Sequence, residues 1–432
     1  MQIKSIYLIG ILSLAPYWVS SQSTSPQFEA SGLLMLHDAD MHATTFGQGF
    51  WTREPTQRDL FSTLSFPLVQ SNVNVLRSTP APNSSVRTGK SVAIHPELKM
   101  AYVLEHRASL PRDLTQISVS ADMEDLPAGE FLTLVDFSDF EAPKAQFKMP
   151  IAKNASSISL SPDHQYLAIT ASEDEREVEI LELSDDGRPI RIITKPTLLP
   201  PGKLVDIQWH PSGDYLAYIN ATNRTVGVLK VIRDGPTGKI IRIEHGEQTL
   251  SVGKRPVLGK FTPDGTFFFI MDAKKSKADY RQPDKGELFA VKLNPDGAHF
   301  LLSRCTLGEN PTDLAIHPSG QWIAAVNAEK SYILGGDIPT TSATMHVISI
   351  SSQGNLSTLR EIPLEGALPL SVVWDKTGRH LVTSQFEIQS FGIRVGALDF
   401  WRWSEANGRP QLSPQNGKVF VPRGVHSIVP IP

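Results

Sequence analysis

The chain is written in short apolar runs separated by polar turns, without the longer stripes that mark helices. One unit recurs: an apolar run of strand length, a turn built on proline, and a second apolar run. It reads "SVAIHPELKMAYVLE" from Ser91, "SISLSPDHQYLAITA" from Ser157 and "DIQWHPSGDYLAYIN" from Asp206. It returns as "LGKFTPDGTFFFIMD" from Leu258, "DLAIHPSGQWIAAVN" from Asp313 and "SVVWDKTGRHLVTSQ" from Ser371. The runs are rich in Val, Ile, Phe, Tyr and Trp, which suit a pleated, half-buried surface. Pro96, Pro162, Pro211, Pro263 and Pro318 preset the first turn position, and Gly213, Gly265, Gly320 and Gly378 supply positive φ at the third.

A several-stranded unit returning about every 50–65 residues predicts a propeller, whose blades bury their faces only against their neighbours. After "QYLAITA" come "REVEILELSDD" and "RPIRIITKP", two further strands, so each blade reads as four. The two ends of the chain complete the count. "HSIVPIP", His426 to Pro432, matches "KSVAIHP", Lys90 to Pro96, a first strand that stops at its turn proline. The N-terminal segment lacks a first strand but offers "GLLML", "DLFSTLSFPLVQ" and "NVNVLRSTP" as the other three. The expectation is an all-β fold: one domain over 30–432, a seven-bladed β-propeller of four-stranded antiparallel blades. Its ring is closed by pairing of the C-terminal strand with the N-terminal blade, which removes the free edges.

Residues 1–22 read as a signal peptide. Lys4 precedes the apolar run "SIYLIGILSLAPYWV", and small polar residues follow it. The run is shorter than the ~20 residues a bilayer span needs, so the mature protein is expected to be secreted or periplasmic and free of the membrane. Cys305 is the only cysteine. Stability must then come from packing, and Cys305 in "HFLLSRCTLG" reads as a small buried hydrophobe. Sequons begin at Asn83, Asn154, Asn220, Asn223 and Asn355, which would matter in a eukaryotic source. Lys and Arg number 41 against 45 Asp and Glu, and the net charge is −4. That balance gives no attraction to nucleic acid. The expected partner is a small-molecule substrate, and the expected state a monomer.

The repeat also assigns faces. The proline turns lie on one face; starts of first strands and ends of second strands meet on the other, around a funnel. "HDADMH" there brings His37, Asp38, Asp40 and His42, and "EHR" brings Glu105, His106 and Arg107. Asn327, Glu387 and His426 belong to the same rim. His37 is a candidate acid–base residue. Asp38, Asp40, His42, Asn327, Glu387 and His426 are candidates for holding a substrate. The hexapeptide has the N and O donors that a divalent metal ion accepts, but no zinc or EF-hand spacing. A metal site, an acid–base pair and a polar rim loop all stay open, and no residue is assigned to metal. "ALDFWRWSEANGR" alternates like a blade strand, which makes Trp401 and Trp403 packing residues between blades.

The repeats "AIHPSGQWIAAVNAE" and "SVAIHPELKMAYVLEHR" resemble those of the seven-bladed lactonase-like propellers, which include propeller-type 6-phosphogluconolactonases and carboxymuconate-lactonizing enzymes. The resemblance implies hydrolysis or formation of a small lactone or similar oxygenated ring. It implies a catalytic role for Glu105, at the end of a second strand, although Leu104 stands where that group usually has Asn. A lactonase needs a general base for water and a cation for the oxyanion, parts that Glu105, His106 and Arg107 could supply. The other class consistent with the sequence is a non-catalytic propeller that binds a protein or small ligand.

Overall fold

The computed structural model describes residues 25–432 apart from 53, 55, 69–75, 84–89, 112–113, 115, 120–124, 195–198, 275–283, 334–339, 391–392 and 407–408; of 47–48, 194, 389–390 and 406 it describes the backbone only. The leader expected over 1–22 lies outside the described residues. Among the described residues no helix is long and apolar enough to cross a membrane.

Seven antiparallel sheets form the ring. The first strands are Val425–Ile431, Val92–His95, Ser157–Leu160, Leu204–Trp209, Pro256–Phe261, Pro311–Ile316 and Val372–Trp374, in blades 1 to 7. First strands touch from blade 2 through blade 5, and again from blade 6 through blade 7 to blade 1. The second strands are Gly32–His37, Met100–Leu104, Tyr166–Thr170, Tyr215–Asn220, Phe268–Asp272, Trp322–Asn327 and His380–Ser390. Blade 1 has the order predicted from the chain ends: Val425–Ile431, Gly32–His37, Leu60–Ser65, Leu76–Pro80. Blade 7 departs from the four-strand pattern, because Val419–Val421 adds to Ile393–Ala406 as a fifth strand.

The proline turns behave as their residue types require. Gly213, Gly265, Gly320 and Gly378 have φ of 77°, 74°, 72° and 69°. The two turns without glycine put Lys99 and His164 at φ 50° and 58°, the left-handed region that is costly for residues with a Cβ. His210 and His317 reach across to the next turn, with Nε2 at 3.2 Å from the Gly265 carbonyl and 3.0 Å from that of Gly378. Inside the ring, an aspartate at the same place in two blades, Asp206 buried and Asp313 partly so, ties three blades together. Asp206 accepts from Ser157 Oγ at 2.6 Å and from the Gly259 amide at 2.6 Å. Asp313 accepts from Lys260 Nζ at 2.8 Å and from the Val372 amide at 3.0 Å.

Apolar clusters fill the spaces between blades. Trp401 and Trp403 pack there with Trp322 and Trp374. Cys305 is half-buried in Phe300–Glu309, and burial pushes its thiol up to about 11, so it stays neutral and unreactive. Of the sequon asparagines, Asn83 and Asn220 are fully buried, and their side-chain amides are held by backbone carbonyls. These two cannot carry glycans in the folded chain.

One cluster covers the funnel face. Met41, Ala43, Phe46 and Trp51 from blade 1 meet Leu110, Val119 and Leu126 from blade 2. They close on Ala328 and Tyr332 from blade 6 and on Leu368, Leu370 and Phe386 from blade 7. A ribbon of Phe50–Thr52 paired with Gln116–Ser118 stiffens this cap. Blade 1 thus reaches past blade 7 to blade 6, so the cap spans blades 2, 1, 7 and 6. Trp51, 4% exposed, anchors it. Trp51→Ala is expected to cost about 3–5 kcal/mol, the usual range for a buried tryptophan. Urea unfolding measures this; a loss under about 1 kcal/mol would show that the cap contributes no packing.

Candidate functional site

The funnel face brings some of the predicted residues together and separates others. Glu105, His106 and Arg107 follow directly on a strand, and successive residues of extended chain point apart. Glu105, 5% exposed, faces the outer strand of its own blade: Oε1 lies 3.6 Å from Lys148 Nζ, and Oε2 accepts the Glu130 amide at 3.3 Å. Burial raises its carboxyl above the ordinary range, with Lys148 opposing. The His106 ring meets the Ala155 carbonyl at 2.6 Å. Arg107 donates to the Leu126 carbonyl at 3.3 Å and to Asn154 Oδ1 at 3.0 Å. It lines a polar pocket of about 430 Å³ with Asp174, Glu177 and Lys203. The three side chains therefore serve three different contacts. Asn327 is fully buried and structural: Oδ1 accepts the Gly308 amide and Nδ2 donates to Thr344 Oγ1, each at 3.1 Å.

The "HDADMH" stretch divides in two. His37, Asp38 and Asp40 are buried beneath the cap. His37 Nδ1 donates to the Pro422 carbonyl at 2.9 Å, and burial pulls the ring down to about 4. His426 is buried beside it and pulled down to about 3, first by burial and then by His37. Both rings are neutral near pH 7. Since Asn83 Oδ1 can only accept, His426 Nε2 donates to it at 2.8 Å, while the Asn83 amide donates to Asp59 Oδ2 at 3.0 Å. Carboxylate oxygens of Asp38, Asp40 and Asp59 lie within 4.8 Å of one another, the kind of oxygen donors that a hard cation takes. All three also have other interactions within the protein, and the histidines of the same stretch, His37 and His42, are engaged elsewhere.

His42 instead reaches the surface, 23% exposed, at the seam of blades 1 and 7. Its Nε2 lies 3.6 Å from Glu54 Oε2 and its Nδ1 3.7 Å from Glu387 Oε2. Arg423 Nη1 stands 3.2 Å from Nδ1. A guanidinium only donates, so Nδ1 accepts and the ring proton sits on Nε2, facing Glu54. Arg423, 8% exposed, is held by the Ala39 carbonyl at 2.8 Å. Glu387 Oε1 pairs with Arg394 Nη1 at 3.2 Å, and Oε2 accepts the Ala43 amide at 3.3 Å. Burial works to raise the Glu387 carboxyl; His42, Ala43 and Arg394 together outweigh it and hold the group below the ordinary range. A partly exposed imidazole thus stands among two carboxylates and two guanidiniums, with Glu54 34% and Arg394 43% exposed.

His42 and Glu387 were legible in the sequence; Glu54, Arg394 and Arg423 were not. Arg423 precedes the closing strand as His37 ends its partner, and that pairing was the one available signal for it.

No protein-family model matches the chain, and no curated protein sequence does either. Solved structures do. The periplasmic gluconolactonase of Pseudomonas aeruginosa superposes with a TM-score of 0.60 at 15% identity, covering 93% of this chain and 100% of that one. A candidate 6-phosphogluconolactonase of Bacteroides uniformis gives 0.58 at 11% identity, covering 92% and 99%. One from Bacteroides fragilis gives 0.58 at 11%, covering 94% and 99%. At such identities the similarity is one of fold. The chain has the fold of the lactonase-like seven-bladed propellers.

Proposed function

We propose that this chain is an exported lactonase-like enzyme that hydrolyses, or in reverse forms, a small lactone or similar oxygenated ring. The observation that carries this reading is the solvent-reached His42 set among Glu54, Glu387, Arg394 and Arg423. Glu54 takes the proton from water as it attacks the ring carbonyl, and returns it to the ring oxygen when the tetrahedral intermediate collapses and the acyl C–O bond breaks. The Nε2–H of His42 and the exposed guanidinium of Arg394 stabilise the oxyanion. Arg423, donating to Nδ1, fixes the imidazole and its tautomer. The leader-like run at the N-terminus and the likeness to a periplasmic gluconolactonase support export. A monomer acting on a small molecule is part of the same reading.

A hydrolysis screen of wild type on five- and six-membered lactones tests it, run with and without chelator and beside Glu105→Gln. The expected result is turnover that survives chelation and survives Glu105→Gln within about threefold, since Glu105 faces Lys148. Turnover lost to chelator would move the chemistry to the Asp38, Asp40 and Asp59 oxygens. Absence of turnover on every lactone would overturn the enzyme reading. The second reading, a non-catalytic ligand-binding propeller, is favoured by the apolar cap, which occupies the funnel face over blades 2, 1, 7 and 6, where propeller pockets usually form.

A further inference from the structure

Inside the ring the first strands enclose an axial cavity of about 340 Å³, lined from six of the seven blades. That volume is at the lower end of the range for small-molecule pockets. The lining is polar around Lys90, Lys260 and Asp313, and apolar at Ile94, Leu160 and Val373, which lie next to the turns. The charges are balanced, Lys90 and Lys260 against Asp206 and Asp313, so the cavity calls for no ionic ligand.

The two lysines are held differently. Lys260 Nζ touches a carboxylate, 2.8 Å from Asp313 Oδ1. Lys90 Nζ donates instead to the neutral Gln208 Oε1 at 2.9 Å. Gln208 is fixed in turn, because its Nε2 donates to Asp206 Oδ1 at 2.8 Å. Asp206 is itself anchored by Ser157 and by the amides of Ile207 and Gly259. A contact carboxylate holds the proton on an amine more firmly than a neutral amide does, so Lys90 is the lysine set up to release one. Its bond to Gln208 survives that loss, since the bond uses an N–H and leaves the nitrogen lone pair for the cavity. A desolvated lysine beside a second ammonium is the arrangement that makes an amine nucleophilic at moderate pH.

We propose that the axial cavity is a Schiff-base site, in which the Lys90 amine adds to the carbonyl carbon of a small, uncharged aldehyde or ketone. Nitrogen bonds to that carbon, and the carbonyl oxygen becomes the hydroxyl of a carbinolamine. The carbon–oxygen bond then breaks as the C=N bond forms. Both hydrogens of the amine leave with the oxygen as water, so no further reagent is consumed. Ser159 and Ser371 line the same cavity. Their oxygens accept the Trp209 amide at 3.2 Å and the Ile428 amide at 3.1 Å, and their hydroxyl protons serve the carbonyl oxygen. The site is separate from His42 and does not depend on the lactonase reading. Burial, and then Lys260, bring Lys90 down to about 8, while Asp206 and Asp313 act the other way. His426, from blade 1, is neutral throughout this range. Addition therefore speeds up toward pH 8 and levels off above it, where the amine is fully neutral.

Propanal with cyanoborohydride, which fixes an imine as a stable amine, tests this on the full chain, with peptide mass spectrometry following each lysine. At pH 7 Lys90 is expected to be propylated at least about 10-fold faster than surface lysines. Its rate should rise about 10-fold from pH 7 to pH 9 and then level off, whereas surface lysines rise about 100-fold and keep climbing. In urea the preference for Lys90 should vanish, which ties it to the folded cavity without recourse to a variant. Lys90→Gln should remove one fast-labelled equivalent and leave the slow labelling unchanged. Labelling of Lys90 no faster than that of surface lysines, a rate that climbs through pH 9 as theirs does, or a preference that persists in urea would each overturn the proposal.

Discussion

A chain ending at Gly424 is expected to lose cooperative folding. The missing residues 425–432 are the first strand of blade 1, paired along Gly32–His37. They bury Val425, Ile428 and Ile431, which are 0%, 4% and 4% exposed. At roughly 1.5–3 kcal/mol for each buried side chain, their loss removes about 5–9 kcal/mol. That rivals the roughly 5–15 kcal/mol total stability of a folded domain. The ring also opens, leaving the backbone groups of Gly32–His37 as an unpaired edge. Circular dichroism melts and light scattering should show no sharp transition and concentration-dependent association. The octapeptide added in trans should restore part of the transition by supplying the missing strand. A truncated chain that melts within a few degrees of wild type would remove the closing strand from the account of stability.

Glu54→Gln is expected to lower kcat by about 10²–10⁴-fold on whichever lactone wild type turns over, because it deletes the base and keeps the shape. Arg394→Ala, which removes a cation from the oxyanion, should cost about 10²–10³-fold, again in kcat more than in KM. Neither side chain is buried, so both variants should melt as wild type does. Glu387 makes the acid side of the profile a matter of structure as well. Its folded carboxyl lies below the ordinary value, so its ion pairs stabilise fully above that value and are lost as pH falls through the depressed one. A Glu54→Gln enzyme with kcat within twofold of wild type would place the chemistry elsewhere.

The blade count, the closure and the face on which "HDADMH" ends were all readable from the chain, because each rests on local periodicity and turn chemistry. Alternating apolar runs specify strands, Pro-x-Gly specifies the turn, and the spare first strand after Gly424 matches the blade that lacks one. Where the strands end, that rule stops acting. Past His37 and past Leu104 the backbone leaves the sheet, and side-chain direction is set by packing against residues far away in sequence. His42 meets Arg423 across 381 positions, and the Ala43 amide meets Glu387 across 344. Phe46 packs edge-on against both Tyr332 and Phe386. Those contacts carry Glu54 to His42 and turn Glu105 away toward Lys148, though both are equally plain acidic residues in the sequence. The sequence alone thus determined a closed seven-bladed ring and the face on which the ends of its second strands meet. Only the tertiary structure decided which rim residues face one another and that an apolar cap joins blades 2, 1, 7 and 6, because loop conformation is fixed by long-range burial that no local pattern encodes.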